Sequence, residues 1–155
     1  MNALVNPQIR SVNSFTAKVL RNGDTEDFNA KFFTLELKDL PDLGGRYWVF
    51  SAEYTVKVDE NRVDKKTITL ALPEESSSGE FFIPDDPKGL HIDYTDTSDP
   101  EPYIHTATKG TVILTLGYKG DELSNLSGKM DIIVSDTDGQ SFMISGDLTY
   151  STSVI

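Results

Sequence analysis

The chain has 155 residues, of which 37% are hydrophobic and 25% are charged, and this size and composition are typical of one globular domain. It contains no cysteine, which excludes disulfides, cysteine-ligated metal sites and thiol nucleophiles. The formal net charge of −11 disfavours nucleic acid and anionic lipid surfaces as partners, because an acidic surface repels both.

Residues 1–12 are predicted to form an extended N-terminal segment of a single β-domain that spans residues 1–155. They lack the basic stretch followed by an apolar run that marks a secretory signal. No apolar run in the chain approaches the length of a transmembrane helix. The sequence as written is therefore expected in the cytoplasm, and a bacterial envelope or secreted location is the expectation if a signal has been removed.

The segment 27–38 is predicted to be extended, but its apolar residues change phase. Phe28 and Phe32 share one parity, whereas Phe33 and Leu35 share the other. A β-bulge near Phe32 explains the change, and so does a chain that crosses from one sheet to another. We favour the crossing, because the corners of a β-sandwich need such switches.

The clearest strand covers residues 48–58, where apolar residues stand at every second position and the residues between them are mostly polar. The face expected to be buried carries Trp48, Phe50, Ala52, Tyr54, Val56 and Val58. Residues 66–72 and 111–118 repeat the pattern, and one mostly polar face on each strand is typical of antiparallel sheets. Further strands are predicted at residues 14–20, 79–84, 90–95 and 103–108. Loops are predicted at residues 39–45, 73–78, 85–89, 96–102 and 119–125.

The C-terminal part predicts a β-hairpin, with residues 130–134 on one strand and residues 142–150 on the other. Residues 136–139 read Asp-Thr-Asp-Gly, which suits a type I turn closed by a left-handed glycine. This turn pairs Val134 with Phe142, Ile132 with Ile144 and Met130 with Gly146. Because the apolar faces then coincide, turn chemistry and hydrophobic pattern agree on one register.

Nine or ten short strands separated by turn signals predict an all-β fold. The expected architecture is an antiparallel β-sandwich. The runner-up is a closed or half-open β-barrel of the calycin-like kind.

Acidic loops are the first signal that could carry chemistry. Calcium takes six to eight oxygen ligands, which such loops supply, although neither loop has the spacing of an EF-hand. Asp also caps turns and solubilises loops, and on balance no cofactor is expected, with calcium kept as an alternative. The residues concerned are Asp85, Asp86, Asp93, Asp96, Asp99 and Glu101, together with Asp136 and Asp138.

Two histidines, His91 and His105, lie on strands that are expected to pair as a hairpin. With Asp93 they form a candidate three-ligand zinc site, and either imidazole is a candidate general base. No serine lies in the Gly-x-Ser-x-Gly turn of a hydrolase. We therefore assign no metal ligand and no catalytic residue.

Aromatic side chains are the third signal, because they line ligand cavities and carbohydrate platforms but more often pack in the core of β-proteins. Tyr47 has the outward parity of its strand and follows Gly44, Gly45 and Arg46, which suits either a partner contact or edge packing. The aromatic residues considered are Tyr47, Trp48, Phe50, Tyr54, Phe81, Phe82, Tyr94 and Tyr103.

Several short motifs follow one another along most of the chain. They are Phe15-Thr-Ala-Lys-Val19, Asp27-Phe28-Asn-Ala30, Thr67-Ile-Thr-Leu-Ala-Leu-Pro73, Gly79-Glu-Phe-Phe-Ile83, Asp93-Tyr-Thr-Asp96, Gly110-Thr-Val-Ile-Leu-Thr115, Leu126-Ser-Gly128 and Ile144-Ser-Gly146-Asp-Leu148. In this order they resemble a family of small bacterial envelope, lipoprotein-like β-domains of unknown function. Members usually carry a lipoprotein signal with a lipid-bearing cysteine, which this chain lacks. The resemblance implies a fold and no activity.

We predict a non-enzymatic binding module, because the sequence is that of a stable β-domain and shows no set of catalytic residues. It is expected to contact a protein or glycan partner through loops or an edge strand. Two alternatives stay open, a carrier of a small apolar ligand inside a barrel and a hydrolase with a site at the strand ends. A homodimer formed by edge strands is also compatible with the sequence, although no strand is recognisable as the edge.

Overall fold

The computed structural model describes residues 13–84, 89–98, 104–135 and 140–152. Ten β-strands make up most of this part of the chain, and a 3₁₀ turn, Pro41–Leu43, follows the third strand. The strands are β1 (Ser14–Arg21), β2 (Asp24–Asn29), β3 (Phe32–Leu40), β4 (Gly45–Asp59), β5 (Arg62–Pro73), β6 (Gly79–Ile83), β7 (His91–Asp96), β8 (Ile104–Lys119), β9 (Glu122–Ser135) and β10 (Ser141–Ser151).

All ten strands belong to one antiparallel sheet, in the order β2-β1-β10-β9-β8-β7-β5-β4-β3, with β6 pairing to β8 beside this path. The first strand pairs with the last, from Ser14 opposite Thr149 to Leu20 opposite Met143. β2 and β3 therefore stand at the two ends of the sheet order. These two edge strands follow one another in the chain and are joined by Ala30 and Lys31.

The sheet is strongly curled, so that its two ends face each other across one core. The rings of Phe15 and Phe50 stack with centroids 6.3 Å apart, and those of Phe28 and Tyr54 meet edge-on at 5.8 Å. These contacts join β1 and β2 to β4, which lies at the far end of the sheet order. Because burial of each such ring contributes roughly 1.5–3 kcal/mol, the aromatic contacts stabilise the curl itself.

Two glycines allow neighbouring strands of the sheet to approach closely. A Cβ atom on Gly128 of β9 would lie 2.0 Å from the carbonyl oxygen of Ile113 on β8. A Cβ atom on Gly146 of β10 would lie 2.7 Å from the Cβ of Ala17 on β1. Glycine within a strand commonly marks such a bend or close approach.

The all-β class and the number of strands are confirmed, and so is the hairpin register. Val134 lies opposite Phe142, Ile132 opposite Ile144, and Met130 opposite Gly146. The turn at residues 136–139 and the segment 1–12 lie outside the described residues. A sandwich of two separate sheets is not shown, because the described strands form a single curled sheet, which is closer to the half-open barrel.

Three expectations about individual segments change. The phase change in residues 27–38 does not come from a passage between two sheets, because the chain passes from one end of a single sheet to the other at Ala30 and Lys31. The predicted loop at residues 119–125 is too long, since β8 ends at Lys119, Gly120 and Asp121 form a turn, and β9 begins at Glu122. The predicted strands 103–108 and 111–118 form one long strand, β8, with a register shift between Ala107 and Lys109.

Helices have almost no role in the described part of the chain. None found there has both the length and the apolar composition needed to cross a bilayer.

Candidate interaction surface

The two strands at the ends of the sheet order, β2 and β3, have different characters. β2 has six residues, and three of them, Asp24, Glu26 and Asp27, are acidic. Short length and charge are devices by which natural proteins prevent an edge strand from pairing with another chain. The β2 edge is therefore protected against strand addition.

β3 is the longer and more regular edge. Its nine residues pair with β4 without a register shift, from Phe32 opposite Glu53 to Leu40 opposite Gly45. No strand pairs with its other side within the described residues. A row of N–H and C=O groups along such a side is a template for another strand.

Side chains along β3 alternate between the two faces of the sheet. Phe33, Leu35 and Leu37 point inward and are half-buried against the core. The ring centroid of Phe33 lies 6.0 Å from that of Tyr150, so β3 packs against β10 from the other half of the curled sheet. Phe32 points outward and is 61% exposed. β3 thus combines one unpaired side of its backbone with apolar side chains that remain partly accessible. The sequence analysis did not identify β3 as an edge strand.

Tyr47 on β4 is not the exposed contact that its parity suggested. It is 4% exposed, its hydroxyl donates to the carbonyl oxygen of Leu43 at 3.1 Å, and its ring lies 6.0 Å from His91. The partner contact is therefore wrong for Tyr47 and packing is confirmed. Gly44 to Tyr47 line a cleft of about 750 Å³ together with Pro73 to Ser76 and Phe81, a feature that the sequence did not predict.

The other aromatic residues of the sequence analysis are mostly core residues. Trp48, Phe50 and Tyr94 are buried, and Tyr54 and Phe81 are partly buried. Phe82 is exposed, and Tyr103 lies outside the described residues.

The two histidines lie on opposite faces of the sheet. His105 is the register partner of Tyr94 and is buried with it, and its ring lies 4.9 Å from that of Phe142. His91 precedes Tyr94 by three residues in the same strand and therefore points to the other face. The candidate zinc site of His91, His105 and Asp93 is not formed, because His105 lies on the face opposite to the other two residues. The Asp93 carboxylate instead accepts a hydrogen bond from Thr106 at 2.8 Å.

Of the acidic residues considered for calcium, the structure describes two, Asp93 and Asp96. They point to opposite faces, since β7 alternates and they are three residues apart. No cluster of three or more acidic or histidine side chains suited to a metal occurs in the described ranges. Asp85, Asp86, Asp99, Glu101, Asp136 and Asp138 lie outside those ranges.

An ion cluster lies on the inner face at one end of the curl. Lys66 Nζ on β5 donates to Glu26 Oε1 on β2 at 2.6 Å and lies 3.7 Å from Asp96 Oδ2 on β7. Asp96 Oδ1 accepts hydrogen bonds from the backbone N–H of Ser98 at 2.9 Å and from its hydroxyl at 2.6 Å. These groups satisfy one another, which is the usual condition for charges at a buried position.

The cluster suits a structural role and not a catalytic one. Desolvation by burial lowers the pKa of Lys66, but the hydrogen bond with Glu26 and the charge of Asp96 raise it more, so the pKa lies above its ordinary value. Lys66 is therefore protonated at neutral pH. A lysine nucleophile needs the opposite shift.

Comparison of the chain with known protein families, with curated proteins and with solved structures gave no match in any of the three.

Proposed function

We propose that this protein is a non-enzymatic interaction module that binds an extended polypeptide segment along β3. The observation that carries the proposal is the nine-residue edge strand Phe32–Leu40, which is regular, long and unpaired on one side within the described residues. Strand addition supplies affinity through backbone hydrogen bonds and specificity through alternate side chains.

The chemistry of β3 indicates what the partner must provide. Phe33, Leu35 and Leu37 keep part of their apolar surface accessible on the inner face. A partner strand with apolar residues at alternate positions covers that surface. A glycan has no alternating N–H and C=O array, so β3 favours a polypeptide over a glycan.

The other two functions receive less support from the geometry. We infer an incompletely closed barrel as the architecture, and a carrier needs open space inside it. Rings from its two halves, such as Phe15 and Phe50, meet in that interior. A hydrolase based on a histidine pair is disfavoured because His91 and His105 face opposite ways.

A titration with a synthetic octapeptide tests the proposal. The peptide alternates valine with threonine and lysine, and binding is followed by the amide chemical shifts of the labelled protein. We expect the largest shifts on β3 and β4. Leu35→Lys places a charge on the inner side of the edge and is expected to weaken binding about tenfold or more.

Thr25→Lys is the matched control, because it adds the same charge to the other edge strand. It is expected to bind the peptide as the wild-type protein does. Shifts confined to other strands, or equal binding by Leu35→Lys and the wild-type protein, would contradict the proposal.

A further inference from the structure

We infer that residues 8–12, which lie outside the described ranges, bind together with Asn13 as a strand along the unpaired side of β3. The segment then competes with the partner for this edge. The inference therefore rests on the proposed function of β3, to which it adds a built-in regulator. It is carried by the position and direction of β1, by the register that they imply, and by one pair of opposite charges.

The start of β1 lies beside the start of β3, because the extended chain from β2 to β3 changes its neighbour at two adjacent residues. The N–H of Ala30 donates to the carbonyl oxygen of Phe15 on β1 at 2.9 Å. The N–H of Lys31 donates to the carbonyl oxygen of Glu53 on β4 at 2.8 Å. The chain therefore leaves β1 at the point where β3 begins to pair with β4.

The chain that leads into β1 has the direction needed to pair with β3. Neighbouring strands in the sheet order are antiparallel throughout, so β2 and β3 at its two ends run the same way, opposite to β1. Asn13 keeps the line of β1, since its Oδ1 accepts a hydrogen bond from the N–H of Ser151 on β10 at 2.9 Å. β10 in turn contacts β3 through the rings of Tyr150 and Phe33. Continued in this line, the residues ahead of Asn13 run antiparallel along β3.

The register follows from the phase change of the apolar residues. Phe28 on β2 and Phe33 on β3 both point inward but differ by an odd number of positions, whereas strict alternation requires an even number. The chain from β2 to β3 therefore contains one extra residue where it changes its neighbour. β1 and β2 pair with Thr16 opposite Asn29. The extra residue moves the later pairs by one, so that Asn13 lies opposite Phe33 and inward residues face each other.

The charges agree with this register. Arg10 has the only charged side chain among residues 1–13, and it lies opposite Glu36 on the outer face. Glu36 is exposed, so its carboxylate can reach a guanidinium group across the strand boundary. On the inner face Ile9 lies opposite the half-buried Leu37. Pro7 has no N–H to donate and ends the pairing. Opposite charges and apolar groups directly across an antiparallel pair stabilise it.

The segment acts as a weak internal competitor. Because no linker separates it from β1, its effective concentration at β3 is in the millimolar range. A free peptide binds only the fraction of chains whose edge is uncovered, and its apparent affinity falls by that fraction. The pairing is short and opens far more often than a central strand such as β9. The segment therefore weakens binding of the partner without preventing it.

Disulfide trapping in the full chain tests the pairing, because the sequence has no cysteine that could interfere. Val12→Cys with Thr34→Cys places two sulfurs on opposite residues of the outer face, within the distance that a disulfide spans. Val12→Cys with Thr25→Cys is the matched control, because Thr25 is equally exposed but lies on β2. Dilute protein is oxidised, and mass spectrometry measures the bridged monomer.

The 12–34 bridge is expected to form at least about tenfold faster than the 12–25 bridge. Once formed, it is expected to weaken binding of the alternating octapeptide about tenfold or more, and reduction is expected to restore binding. Equal rates of formation in the two variants would overturn the inference.

Charge reversal within the segment tests the register and the competition. Arg10→Glu sets a second carboxylate opposite Glu36 and is expected to tighten octapeptide binding about threefold or more, because it uncovers β3. Gln8→Glu is the matched control, since its carboxylate lies opposite Lys38, and it is expected to leave binding unchanged or weaker. Equal tightening by both variants, or none by Arg10→Glu, overturns the register.

Failure of this inference can be told from failure of the proposed function. Octapeptide binding on β3 without a fast 12–34 bridge keeps the function and overturns the inference. A fast bridge in a chain whose β3 ignores the octapeptide, even with Arg10→Glu, keeps the pairing and overturns the function.

Discussion

Lys66 on β5 and Asp96 on β7 are register partners on the inner face of the sheet, where their side chains are only 12% and 3% exposed. Through Glu26, the same ammonium group reaches β2 on the opposite side of the curl. These three residues therefore connect strands that are distant in the sheet order. The ion cluster acts with the aromatic core in holding the two halves together.

Replacing Lys66 tests this role. Lys66→Met leaves the buried carboxylate of Asp96 without its cation and is expected to lower the free energy of unfolding by about 2–4 kcal/mol. Lys18→Met is the matched control, because the ion pair of Lys18 with Asp27 is largely exposed and such pairs contribute about 0–1 kcal/mol. Urea unfolding measures both. Equal losses in the two variants would show that the buried Lys66 cluster stabilises the fold no more than the exposed ion pair of Lys18.

The pH dependence of stability follows from the same lysine. Because the pKa of Lys66 is raised in the folded protein, its contribution is complete below its ordinary pKa of 10.5 and is lost as the pH rises through the folded value. Burial also raises the pKa values of Tyr118 and Tyr150, which act in the same direction above about pH 10. We expect the free energy of unfolding to fall with pH in this range.

Variants test two of these three groups, Lys66 and Tyr118. The alkaline decline is expected to become shallower in Lys66→Met and also in Tyr118→Phe, whose hydroxyl donates to the carbonyl oxygen of Ser76 at 2.7 Å. Equilibrium unfolding at a series of pH values is the measurement. A decline of unchanged slope in both variants would assign it to other groups.

The close approach of β8 and β9 predicts the effect of adding a methyl group to Gly128. Gly128→Ala places a Cβ against the carbonyl oxygen of Ile113, which is backbone and cannot rotate away. We expect a loss of at least about 2 kcal/mol in the free energy of unfolding. Gly45→Ala is the control, since its Cβ meets open space, and urea unfolding is expected to show little change. A tolerated Gly128→Ala would mean that β8 and β9 can separate without cost.

The sequence predicted the β9–β10 register because that information is local. Turn residues and apolar alternation act over a few positions, and here both favour Val134 opposite Phe142. The pairing of β1 with β10 joins distant parts of the chain, and alternation does not say which strands become neighbours. The sequence therefore could not show which strands are the edges, although it led us to expect that an edge strand binds the partner.

The candidate residues show the same limit. Parity placed Tyr47 on the outer face, but it could not show that Leu43 and His91 pack against it there. Proximity in sequence suggested that His91 and His105 meet, whereas the register opposite Tyr94 separates them by the thickness of the sheet. Burial of outward residues and relative register are tertiary properties, which a local pattern does not contain.

Native-state hydrogen exchange tests the assignment of the edge. β9 pairs with β8 and β10, so its amides are bonded on both sides, whereas alternate amides of β3 face away from β4. In dilute protein these alternate amides are expected to exchange at least about a hundredfold faster than those of β9. Protection on β3 that equals that of β9 at every dilution would show that the edge is already covered within one chain, and strand addition would then lack its template.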